Sequence, residues 1–145
     1  MGEKVPQTYA NHTRLDPPFH FFLIPIAGVN LLLSLWRLIR QPGGETAWLA
    51  VLSFAAVVGV LKIRLYALRV QDRVIRLEER LRLSTLLSEP LRSRIGELTE
   101  AQLIGLRFAP DAEASSLVEK ALAGKMTGGD IKKAIAGWRP DYFRV

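Results

Sequence analysis

TAWLAVLSFAAVVGVL, Thr46 to Leu61, runs directly into KIRLYALRVQDRVIRLEERLRLSTLLSE, Lys62 to Glu89. The first segment carries no charge, the second has no Gly or Pro, and Pro90 ends the run. An apolar stretch of bilayer length therefore passes unbroken into an arginine-rich amphipathic one. As one helix, residues 46–88 extend about 64 Å at 1.5 Å per residue. Roughly half of that crosses a ~30 Å hydrocarbon core, and the rest stands in water.

Upstream, FHFFLIPIAGVNLLLSLWRLI (Phe19 to Ile39) has no acid, Lys or Arg before Arg37 and predicts a first crossing. Pro18 suits the first turn, whereas Pro25 deprives the Phe21 carbonyl of its partner and predicts a kink. The Pro-Gly-Gly turn between Arg40 and Glu45 makes the two helices antiparallel neighbours, about 19–39 and 46–66. Trp36 and Trp48 then share one interface, while Tyr66 joins the Phe19–Phe22 cluster at the other. Asn30 and Ser34, four apart on one face, read as polar glue between helices. Ala55 and Gly59, with Ser53 and Ala56 beside them, make a low-profile surface for close helix approach, within the hairpin or between copies. Near the membrane, Lys4, Arg14, Lys62, Arg64, Arg69, Arg73 and Arg76 flank the outer ends, against Arg37 and Arg40 at the loop. The positive-inside rule then puts both termini in the cytoplasm.

Along the projecting helix, residues 62–88, Val60, Ile63, Ala67, Val70, Val74, Leu77 and Leu81 follow alternating steps of three and four. That is a coiled-coil seam, which has to pack on the carboxy-terminal helices or on another copy. Leu68, Ile75, Leu83 and Leu86 widen the apolar surface beyond a strict two-stranded seam. A second stripe, Arg69, Arg73, Arg76 and Arg80, reads as a solvated face, a surface for anionic lipid headgroups, or a contact for an acidic partner, and Lys62 and Arg64 join the lipid or acidic-partner surface at its membrane end. Asp72 with Arg76 and Glu78 with Arg82 have the spacing and order of helical ion pairs.

Residues 1–18 lack any period and predict an irregular cytoplasmic arm. Gly2 fails as a myristoylation signal because position 6 is Pro. His12, Asp16 and His20 have helical metal-ligand spacing, but Pro17 and Pro18 argue against a helix there, and no metal is expected. Beyond Pro90, residues 96–145 predict a small helical unit with an extended tail. Thr99 with Gln102 forms a capping box, Asp111 is expected to cap the next helix up to Gly124, and Thr127 with Asp130 opens the last. Leu103, Ile104, Leu106, Phe108, Leu117, Val118, Leu122, Ile131, Ile135 and Trp138 supply a core too small to stand alone, so the unit leans on the long helix or a neighbouring subunit. Trp138, Tyr142 and Phe143 either fold back over that core or form a docking tail.

TYANHTRLDPPFHFF, VQDRVIRLEERLRL, LTEAQLIGLRFA and IKKAIAGWRPDYFRV together resemble a family of small bacterial membrane proteins of unknown function. The resemblance implies a bacterial inner (plasma) membrane protein with two spanning helices and a cytoplasmic helical end. It carries over no activity and no functional residue.

The 145 residues are 49% hydrophobic with a net charge of +6, and the basic excess is concentrated in residues 62–94, nine Lys/Arg against four Asp/Glu. Basic residues abutting a membrane segment, rather than patched on a folded domain, argue against nucleic acid as partner. The chain has no cysteine, which removes disulfides, thiolate nucleophiles and thiolate-held metals. KMTGGD (Lys125 to Asp130) lacks the spacing of a phosphate loop, and no cofactor or small-molecule substrate is indicated. The expectation is an all-α, non-enzymatic, membrane-anchored scaffold that self-assembles through its second transmembrane helix and its seam. The alternatives are an accessory subunit of a larger membrane complex and a peripheral regulator that binds anionic lipid.

Overall fold

The computed structural model describes residues 6–12, 15–124 and 126–141. Gly2, Lys4, Arg14, Tyr142 and Phe143, on which parts of the sequence reading rest, lie outside the described residues. The described chain is helical, without strands. A π-helical turn, Pro18–Leu23, leads into α1 (Ile24–Arg40), and α2 is one unbroken helix of 43 residues, Gly44–Leu86. A 3-10 helix (Arg92–Glu97) precedes α3 (Glu100–Leu106), α4 (Asp111–Gly124) and α5 (Gly128–Ala134). The chain divides into two compact units, one of Leu15–Arg69 and one joining Met1–Arg14 to Val70–Arg144.

The first unit is an antiparallel helix pair. The pyrrolidine of Pro25 leaves the Phe21 carbonyl without its helical donor, and the expected kink is realised as a widened turn. Ile24 N–H there bonds back to Phe19 O, five residues away. Ser34, Ala50 and Ser53 are the buried residues of this pair, whereas Phe21, Leu32, Ile39, Val51 and Phe54 face outward. Small residues inside and large apolar residues outside invert a water-soluble pattern. Pro18–Arg40 and Gly44–Leu86 are both long and apolar enough to cross a membrane.

The second unit packs the end of α2 against the short helices. Leu83 and Leu87 are fully buried and join Leu103, Leu106, Phe108, Val118 and Ile131 in one core. The unit thus leans on the long helix, as its size requires. Both expected capping boxes are present, Thr99 with Gln102 and Thr127 with Asp130. Hydrogen bonds from the hydroxyl and backbone N–H of Thr127 hold the Asp130 carboxyl below its ordinary range. Asp111 is not a cap. It occupies the first turn of α4 and accepts from Arg82 Nη1 at 2.8 Å. A carboxylate on α4 instead closes the chain after α5: Glu113 accepts from the N–H groups of Ala136 (3.0 Å) and Gly137 (2.9 Å).

Gly128, in the glycine pair rejected as a phosphate loop, serves packing. A Cβ there would run into the carbonyl of Ala101, and one at Gly105 would sit 2.8 Å from Gly128 O. Backbone on backbone cannot yield as a side chain would. Gly128→Ala is expected to destabilise the unit by about 1–3 kcal/mol. Gly124→Ala, where a Cβ meets open space, serves as the control, and thermal unfolding of both variants gives the comparison.

Candidate interaction surface

Successive residues of a helix turn by about 100°, so α2 offers separate faces. One face, through Ile75, Glu79 and Leu83 and on to Leu87 just past its end, is buried in the second unit. The sequence-predicted seam lies nearly opposite and is uncovered. Val70 is 64% exposed, Val74 48%, Leu77 61% and Leu81 60%. Ile63, in the first unit, is exposed as well. Of the two packing partners the seam could have had, the carboxy-terminal helices are therefore eliminated. Leu83 belongs to the core and Ile75 is buried as well, so neither broadens the seam.

Buried within the packed face is an ion pair that the sequence reading missed. Glu79 is 3% exposed. Arg82 Nε donates to both Glu79 oxygens (3.2 and 3.1 Å), and Nη2 donates to Oε1 at 2.6 Å. The remaining guanidinium protons go to Ala109 O (2.9 Å), Leu106 O (3.2 Å) and Asp111. Arg82 thereby satisfies carbonyls at the end of α3, where a cation also suits the helix dipole. Burial pushes the Glu79 carboxyl above its ordinary range, and the Arg82 contact pulls it part of the way back. The pairing expected from spacing, Glu78 with Arg82, is not made, because Arg82 turns inward to Glu79. Arg76 likewise bonds the backbone carbonyl of Asp72 and forms its ion pair with Glu100.

These contacts also reduce the arginine stripe. Arg76 is engaged, while Arg69, Arg73 and Arg80 remain exposed. Lys62 lies over the Tyr66 ring at 6.0 Å. Arg64 faces Asp16 at 3.7 Å and the Phe19 ring at 5.5 Å, so it helps close the hairpin. Beside α2, Glu78, Glu79 and Asp141 line a cleft of about 760 Å³ together with Arg82, Arg107 and Arg139. Its cationic and anionic groups offset one another, and Arg107 lies over the Phe108 ring at 4.4 Å.

The described arm, residues 6–12, is docked on the second unit. Gln7 Nε2 donates to Asp141 O (3.1 Å) and Gln7 Oε1 accepts from Asp141 N–H (2.7 Å), as a strand partner would. His12 stands between the rings of Phe108 (5.8 Å) and Trp138 (5.7 Å). It therefore belongs to this aromatic cluster, whereas His20 bonds Asp16 O at 2.8 Å in the other unit. Among the described residues no His/Cys/Asp/Glu group could hold a metal ion. Trp138 packs on Phe108 at 4.9 Å and on the core, which removes it from any docking tail.

In the helix pair, Asn30 finds its partner across the hairpin, Nδ2 donating to Ser53 Oγ at 2.9 Å. Ser34 is buried beside it but donates to Leu31 O. Ala55 is exposed and a Cβ on Gly59 would meet nothing, so this small-residue pair does not form the hairpin contact. Asn30→Leu is expected to weaken hairpin association by roughly 0.5–2 kcal/mol. Hydrogen exchange at the α1 amides in detergent measures it.

The chain thus has two candidate membrane spans and a helical unit packed on the end of α2. A profile described as "Family of unknown function (DUF6526)" matches residues 3–145, and the chain belongs to that family. No curated protein matches the chain, and no solved structure does.

Proposed function

We propose that this protein is a membrane-anchored helical scaffold that assembles with copies of itself. The observation that carries the proposal is the open row Val70, Val74, Leu77 and Leu81 on a helix whose other face is already packed. A contiguous apolar edge in water is a contact awaiting its partner. In this reading both α1 and the first half of α2 cross a bacterial inner membrane. The basic excess beyond the second crossing keeps both termini cytoplasmic. Packing of the described arm, residues 6–12, on the carboxy-terminal unit supports placing the two ends of the chain on one side.

Purification of the tagged chain from membranes in mild detergent tests the proposal. A complex containing this polypeptide alone supports it. Other chains in fixed proportion would replace it with the accessory-subunit reading, in which the same row docks on a different protein. The lipid-regulator reading predicts instead that binding to vesicles depends on anionic lipid and weakens with salt.

A further inference from the structure

The two charges that flank the open row, Arg73 and Glu78, form no ion pair among the described residues, unlike Arg76, Glu79 and Arg82 beside them. They stand five residues apart on opposite edges of the row. In heptad terms Val74 and Leu81 are at a, Val70 and Leu77 at d, Arg73 at g and Glu78 at e. A g residue of one strand meets the e residue five positions further on in a parallel partner. Resting on the self-assembly reading, the geometry points to a parallel, in-register, two-stranded contact between copies. Arg73 of each copy pairs in it with Glu78 of the other.

Three observations converge on this arrangement. Arg73 and Glu78 are both exposed and carry opposite charge at the required spacing. Antiparallel strands would instead lay g against g, setting the exposed Arg73 and Arg80 of one copy near those of the other, a like-charge arrangement that disfavours the pairing. Finally, the residues that would have broadened the row toward three strands, Ile75 and Leu83, are buried within the chain. What remains is one a/d stripe wide, Val70, Val74, Leu77 and Leu81, the width a two-stranded contact buries. Insertion of each copy in the same sense gives their α2 helices the same direction.

Because the chain has no cysteine, single cysteines report the contact cleanly in the full-length protein in membranes. Val70→Cys and Leu81→Cys are each expected to oxidise to a disulfide-linked dimer, while Arg69→Cys, off the row, does not. An antiparallel pair brings only positions near its symmetry axis together, so cross-linking at one of the two sites but not the other overturns the arrangement. Arg73→Glu and Glu78→Arg are each expected to weaken association roughly tenfold, since two exposed pairs turn from attraction to repulsion. The double exchange Arg73→Glu with Glu78→Arg is expected to restore it. Dimers insensitive to these reversals would contradict the charge pairing while leaving self-assembly standing. A wild-type chain that does not associate would remove the reading beneath it.

Discussion

Val74→Asp combined with Leu77→Asp is expected to reduce the proposed assembly to single chains. Burial of each such side chain contributes about 1.5–3 kcal/mol, and two are lost from each copy. At about 1.4 kcal/mol per tenfold, association weakens more than a thousandfold. Neither residue touches the core of its own chain, so helicity and the unfolding midpoint of the carboxy-terminal unit stay close to wild type. Particle mass in mild detergent and circular dichroism on one sample make the comparison. An unchanged mass removes the seam from the contact.

Glu79→Ala is the second large effect, and it falls on the fold. The substitution removes the acceptor of Arg82 Nε and of one Nη2 proton and leaves the half-buried guanidinium with Asp111 as its remaining carboxylate, a loss of about 1–3 kcal/mol. That is a large share of the stability of a small domain. Protection of the α3 and α4 amides from hydrogen exchange is expected to collapse accordingly. Adding Arg82→Met to Glu79→Ala recovers part of the loss, because no guanidinium proton is then left without its acceptor. The sign of the pH dependence also follows. The folded Glu79 carboxyl holds its proton to higher pH than its ordinary value near 4.5. Between those two values the folded state binds more protons than the unfolded one, so the Glu79 contribution declines as pH rises through that window. Glu79→Gln removes this decline. A variant with the slope of the wild type would place the titration elsewhere.

Much of the architecture is legible in the residues alone. An uncharged run followed by a Gly- and Pro-free amphipathic run fixes α2, and threonine followed three residues later by Gln or Asp fixes the starts of α3 and α5. Asn30 called for a polar partner, and the antiparallel register supplies it in Ser53. What the residues do not disclose is which face of α2 the short helices take. The period-3.5 row is unbroken and reads as the packing face. The face in use is interrupted by Glu79 and Arg82, whose charges read as solvated. Their burial becomes intelligible only when Leu106 O and Ala109 O are seen to need donors. The docked arm is hidden for another reason. A side-chain amide pairing with backbone at Asp141 and an imidazole between two rings leave no periodic trace.

Tertiary contacts also leave fewer cations open along α2 than the spacing of its basic residues suggests. Spacing places Arg64 and Arg76 with the exposed cations, yet Asp16 and Glu100 reach them from segments distant in sequence. Surface pairs of this kind contribute little to stability, but they decide which cations remain open to a partner. Arg73 is among those left, beside an equally open Glu78.

The mass of the purified full-length particle in mild detergent is the most direct test of self-assembly. The account predicts a polypeptide mass of about twice 16.2 kDa, with the detergent contribution removed, unchanged on dilution through the range where unrelated membrane proteins separate. A homogeneous particle of one 16.2 kDa chain, with Val74 and Leu77 still open to solvent, would contradict it.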